Sequence, residues 1–148
     1  MRARILAVLD EESFRSDFKK YLEPDHTVTV CDNISGVKQQ ISDITVDASH
    51  KPFDLIVCAI NVGDEDNGSA MDFLTWTRTN TLLQEIPFVL LCTRKGLIMN
   101  EFMSSLRSAS KALGAVGLLV ANNIASENFR NAIEEYLPFQ TQYSLAEI

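Results

Sequence analysis

No stretch of the 148-residue chain approaches the roughly 20 consecutive apolar residues that a membrane-spanning helix needs. The first apolar run, Ile5 to Leu9 behind Met-Arg-Ala-Arg, is too short for a signal-peptide core and lacks a small-residue cleavage site. A soluble, cytoplasmic protein is therefore expected. Paired cysteines are missing as well. Cys31, Cys58 and Cys92 are odd in number and far apart, each in or beside an apolar run, and they read as buried free thiols. A metal site needs ligands paired at short spacing, and His26 and His50 stand isolated, so neither a metal nor a cofactor is expected. Basic clusters are also absent. The 13 Lys and Arg are scattered, with Lys19-Lys20 and Arg94-Lys95 the densest groups, against 20 Asp and Glu. A formal charge of −7 without a basic stripe argues against nucleic acid as partner.

Catalytic signatures are equally scarce. The turn after the first apolar run is Asp10-Glu11-Glu12-Ser13, whose charge repels phosphate where a flavin or dinucleotide site would need glycines. There is no Gly-x-Ser-x-Gly elbow, and neither histidine lies at a strand end where a general base would be useful. The protein is not expected to be an enzyme.

What the chain does have is a core. Hydrophobic residues make up 46% and charged residues 22%, enough for one folded domain over residues 1–137, with 138–148 as a C-terminal tail. Apolar runs of strand length alternate with segments of helical period. Strands are expected at Ile5–Leu9, Thr27–Cys31, Asp54–Ile60, Phe88–Cys92 and Val116–Val120. Helices are expected from Phe14 to the stop at Pro24, from Ser35 to Thr45, through Met71, Phe73, Leu74 and Trp76, through Met99 to Leu113, and from Ile124 to Leu137. Gly114 is placed to cap the fourth helix, and Trp76 falls on a core-facing stripe. Five β-then-α units without repeats or linkers specify an α/β, three-layer, flavodoxin-like fold. Its five-stranded parallel sheet would have the order 2-1-3-4-5, with five helices. Ligands in such sheets bind beyond the carboxyl ends of the strands, near the first and third.

At those strand ends the sequence resembles the receiver domain of two-component response regulators. The segment "RILAVLDEESFRSDFKKYLE" resembles the family's first strand, acidic pair and first helix. "FDLIVCAIN" resembles the third strand, "IPFVLLCT" the fourth and "GAVGLLVANN" the fifth. The resemblance implies transfer of a phosphoryl group to an aspartate. Mg²⁺ neutralises the phosphoryl oxygens in that chemistry, and a Lys and a hydroxyl hold the rest.

Carried over residue by residue, the resemblance is to a degenerate member, a pseudo-receiver. The acidic pair becomes Leu9-Asp10, and the phospho-acceptor position falls on Ala59. The hydroxyl position falls on Cys92, with Thr93 one residue late, and the lysine position on Ala121, or on Asn122 with a slip of one. The aromatic switch position falls on Leu118. Asp10 and Asn61 remain where the family has them, Asp10 being either a helix N-cap or a remnant of the metal site. The loop Asn61–Ser69, with Asp64, Glu65 and Asp66, fails the EF-hand template and reads as solvated.

The resulting expectation is a receiver-like module of a two-component or phosphorelay pathway that binds protein without phosphoryl control. No output domain follows, so regulation would act through a bound protein. Two alternatives stand beside it: a vacated pocket that takes a small molecule such as a quinone, and a genuine phospho-receiver with a displaced acceptor. In the family the fourth helix, fifth strand and fifth helix commonly form the partner or dimer face. Here that face would comprise Arg107, Lys111, Leu118, Glu134 and Glu135, with Phe139, Tyr143 and Leu145 of the tail as apolar support.

Overall fold

The computed structural model describes residues 3–42, 52–60, 62–64, 68–92, 100–121 and 124–137. Five strands form one sheet: β1 Arg4–Val8, β2 Thr27–Cys31, β3 Leu55–Ala59, β4 Phe88–Cys92 and β5 Gly117–Val120. Five helices follow them in turn: α1 Glu12–Leu22, α2 Ile34–Ser42, α3 Ala70–Thr79, α4 Asn100–Ala112 and α5 Glu127–Glu134. The sheet order is β2-β1-β3-β4-β5 and every pairing is parallel, as the alternation of apolar runs requires. The chain also makes a two-residue antiparallel ladder between β3 and α3, where a plain loop was expected. It pairs Gly63 with Ser69 and Asp64 with Gly68, which has φ +83. Counted in chain order, the ladder adds two short strands between the third and fourth members of the sheet.

Local chemistry explains where two of the helices begin. Ser69 caps α3 by accepting from the Asp72 amide at 3.3 Å, while the Asp72 carboxylate accepts from the Ser69 amide at 2.9 Å. These bonds hold the Asp72 carboxyl below its ordinary range, with the Ser69 amide the larger cause and the Ser69 hydroxyl next. Ser126 caps α5 through the Phe129 amide at 3.1 Å, so that helix begins three residues later than the apolar periodicity suggests. Residues 43–45, expected to finish α2, lie outside the described residues.

The core is continuous across both faces of the sheet. Right-handed crossovers put α1 on one face and α2, α3 and α4 on the other. On the first face Phe18 of α1 meets Phe129 of α5 edge-on, at 5.8 Å between ring centroids. On the second, Phe73 packs against Phe88 of β4 and stacks on Trp76 at 5.9 Å. Trp76 is only half-buried, and the Lys38 ammonium lies 5.2 Å from its ring centre. Truncating any of these buried aromatics would cost about 3–5 kcal/mol. Among the described residues, no helix is long and apolar enough to cross a membrane.

The end of α4 positions the edge strand. The Gly114 amide donates to the Lys111 carbonyl and the Ala115 amide to Ser110, closing a Schellman turn with Gly114 at φ +109. A β-carbon there would also come within 2.7 Å of the Arg78 Cδ. Arg78 cannot easily yield, because its Nη2 donates to the carbonyls of Leu83 (3.2 Å) and Ile86 (2.7 Å). Gly114→Ala is therefore expected to lower stability by about 1–3 kcal/mol, read as a lower urea midpoint at unchanged m-value. An unaltered midpoint would mean that the α4–β5 turn is free to relax.

Candidate functional site

Register fixes what stands at the carboxyl edge of the sheet. Val8 pairs with Cys58, Ala59 with Leu91, and Cys92 with Val120. Each ladder runs one bond further: the Leu9 amide donates to Cys31, Ile60 to Leu91, and Ala121 to Cys92, all at 2.9 Å. The edge is thus formed by Leu9, Ala59, Cys92 and Ala121. Leu9, Ala59 and Cys92 are buried and Ala121 is half-buried. Asn61, Thr93 and Asn122 lie outside the described residues, as do Glu65, Asp66 and Asn67 of the acidic loop.

The polar groups around this edge are few. Asp10 is exposed and stands one residue ahead of the α1 N-cap, which is Glu11 and makes no side-chain capping bond. Of the two roles open to Asp10, the N-cap is therefore excluded. Its charge still reaches the end of β3, where burial and, secondarily, Asp10 push the Cys58 thiol far above its ordinary range. Cys58 stays a neutral thiol, its Sγ 3.6 Å from the Ala59 carbonyl oxygen. Arg15 of α1 sends Nη1 to the Leu9 carbonyl at 2.7 Å, a bond that helical spacing alone does not foretell. Among the described residues, no three His, Cys, Asp or Glu side chains gather as a metal-binding group. The surviving edge offers an aliphatic floor, a thiol and one solvated carboxylate.

The readings of Cys31, Glu134 and Leu118 need correction. Cys31 is not buried but half-exposed, because β2 is an edge strand. Its Sγ donates to Gln40 Oε1 at 2.8 Å, and burial followed by Asp32 raises its pKa. His26, isolated along the sequence, is buried in the fold, with Ala3 on one ring nitrogen and Glu134 on the other. That contact also removes Glu134 from the expected interaction face.

The rest of that face divides. Leu118 is buried, since it points from β5 into the core. The Arg107 guanidinium is exposed but commits Nη1 to the Leu118 carbonyl at 3.1 Å, covering part of the outermost strand. Lys111 and Glu135 are exposed as expected. Beside them stand Leu113, Val116 and Val120, which are 37%, 54% and 45% exposed and form the apolar part of this surface. Met99, Phe102, Met103 and the tail residues Phe139, Tyr143 and Leu145 fall outside the described side chains.

No family profile matches the sequence, and no curated protein matches it. Solved structures do match, response regulators and signal receiver domains among them. The chemotaxis response regulator CheY4 of Vibrio cholerae is 20% identical with a TM-score of 0.72, over 93% of this chain and 100% of that one. The phosphorylated cyanobacterial phytochrome response regulator RcpA is 17% identical with a TM-score of 0.70, over 93% and 94%. The signal receiver domain of an HD domain-containing protein from Pseudomonas fluorescens is 14% identical with a TM-score of 0.65, over 96% and 99%. The chain has the receiver fold.

Thiol chemistry tests the edge as described. With iodoacetamide near neutral pH, Cys31 should react first and slowly, its thiolate being scarce. Cys58 and Cys92 should react only on unfolding, as peptide mass mapping over time would register. Rapid native labelling of Cys58 would instead place an activated nucleophile at the end of β3.

Proposed function

We propose that this chain is a signalling module of the two-component type that acts by binding protein, without accepting a phosphoryl group and without catalysing a reaction. The observation that carries the reading is Ala59 as the last residue of β3, buried, where phosphoryl transfer would require a nucleophilic carboxylate. Leu9, Cys92 and Ala121 support it. None of these side chains supplies the carboxylate pair, hydroxyl or lysine that would hold Mg²⁺ and phosphoryl oxygens. Moving a nearby aspartate into the place of Ala59 would mean sliding β3, and its buried run from Leu55 to Ala59 opposes that.

The surface that would carry such a signal is the one around β5. An edge strand with exposed Val120 and, just before it, Val116, flanked by Leu113 and Lys111 of the preceding segment and Glu135 beyond α5, offers apolar contact with charges of both signs. A second copy of the chain could use each patch against its complement, with the valines supplying affinity and the charges setting register.

Incubation with acetyl phosphate or phosphoramidate and Mg²⁺ should leave the intact mass unchanged. An added phosphoryl mass on an aspartate would overturn the reading. For the surface, light scattering should find self-association at high concentration. Lys111→Glu should weaken it by up to about fivefold, as loss of an exposed ion pair allows. A strict monomer, or an association indifferent to the reversal, would remove this face as a site of self-association.

A further inference from the structure

The buried histidine lies in a network that nothing in phosphoryl transfer uses. His26 sits in the turn between α1 and β2 and is 4% exposed. Its Nδ1 accepts from the Ala3 amide at 3.2 Å, just ahead of β1. Its Nε2 lies 2.8 Å from Glu134 Oε2, at the end of α5. A backbone amide can only donate and a carboxylate can only accept, so the two partners select one neutral tautomer with the proton on Nε2. The other Glu134 oxygen approaches the buried Arg130 Nε at 3.6 Å, beyond hydrogen-bond reach, and Arg130 Nη2 contacts Asp25 beside the histidine.

The charges in this network do not balance. Asp25 and Glu134 carry two negative charges, Arg130 one positive and the neutral imidazole none. Arg4, the nearest charged residue on β1, is occupied with Asp54 at 3.5 Å. A proton added to His26 would neutralise the cluster and turn the Glu134 contact into a buried ion pair. The same proton has to enter at Nδ1, where it meets the Ala3 N–H. Two donors cannot share that position, so the Ala3 amide must lose its acceptor.

We infer that His26 is a proton-operated latch between the start of β1 and the end of α5. In the neutral state it ties both elements to the α1–β2 turn. In the protonated state it holds Glu134 more strongly and releases Ala3. Histidine is the side chain whose ordinary titration spans mildly acidic to neutral pH. The device joins segments more than a hundred residues apart, since His26 and Glu134 are separated by 108 positions. It would make the placement of α5 against the first unit sensitive to proton concentration.

The test is an NMR titration of the whole chain from pH 8 to 5, following the His26 ring resonances and the Ala3 amide together. The expected result is that the Ala3 amide shift changes with the same midpoint as the ring. Its protection from hydrogen exchange, corrected for the intrinsic pH dependence, should fall at least tenfold across that midpoint. In Glu134→Gln, which keeps an acceptor but removes the charge, the Ala3 transition should move to lower pH. An Ala3 amide that stays protected while the ring titrates would overturn the latch. So would a ring that stays neutral until the protein unfolds, or a transition unmoved in Glu134→Gln.

Discussion

Strand β3 has to be paired along both backbone edges and covered on both faces, and the rest of the molecule is arranged to meet that requirement. All five of its residues, Leu55 to Ala59, are buried, between β1 on one side and β4 on the other. Parallel neighbours force crossover connections, and the crossover helices supply the two covering layers. The same burial fixes register. A slip of one residue would exchange the faces of every side chain in the strand and break both ladders at once. The identity of the residue at its carboxyl end is therefore a structural fact, and that residue is alanine.

Once β3 is fixed, its neighbours complete an edge that offers little of the chemistry phosphoryl transfer needs. Leu9 and Cys92 are held there by the ladder bonds of β1 and β4, and Ala121 by the bond that continues β5. Their apolar character suits packing at the mouth of the sheet. Arg15 ties the Leu9 carbonyl to α1, so the β1–α1 turn is braced by a side-chain bond. On the proposed reading, recognition would fall to surfaces already present, such as the β5 edge, where Leu113, Val116 and Val120 are exposed.

Much of this was readable in the sequence because it depends on short-range pattern. Thr27–Cys31 and Phe88–Cys92 form strands with the expected limits, since each run is bounded by turn residues and has no helical period. Gly114 was placed as a cap because a left-handed position after an apolar stripe favours glycine, and its φ is positive. What escaped the sequence is long-range. Nothing near His26 announces Glu134, and nothing near Arg107 announces the Leu118 carbonyl, because each partner is supplied by tertiary packing. Leu118 was assigned to a surface through its place on an edge strand. It is instead buried, while Val116 and Val120, which share its parity along the chain, are exposed just before the strand and at its last residue. The ladder around Gly63 and Gly68 was missed because two bonded pairs leave no periodic trace.

The central claim is that the carboxyl edge of the sheet has lost the electrostatics of phosphoryl chemistry. Magnesium affinity measures this most directly, since Mg²⁺ at such a site depends on carboxylates, and Asp10 stands exposed just beyond β1. Titrating Mg²⁺ while recording amide shifts should give only weak, unsaturated changes near Leu9, Asp10 and Ala59 at millimolar metal. Saturation of those amides at micromolar Mg²⁺ would contradict the account.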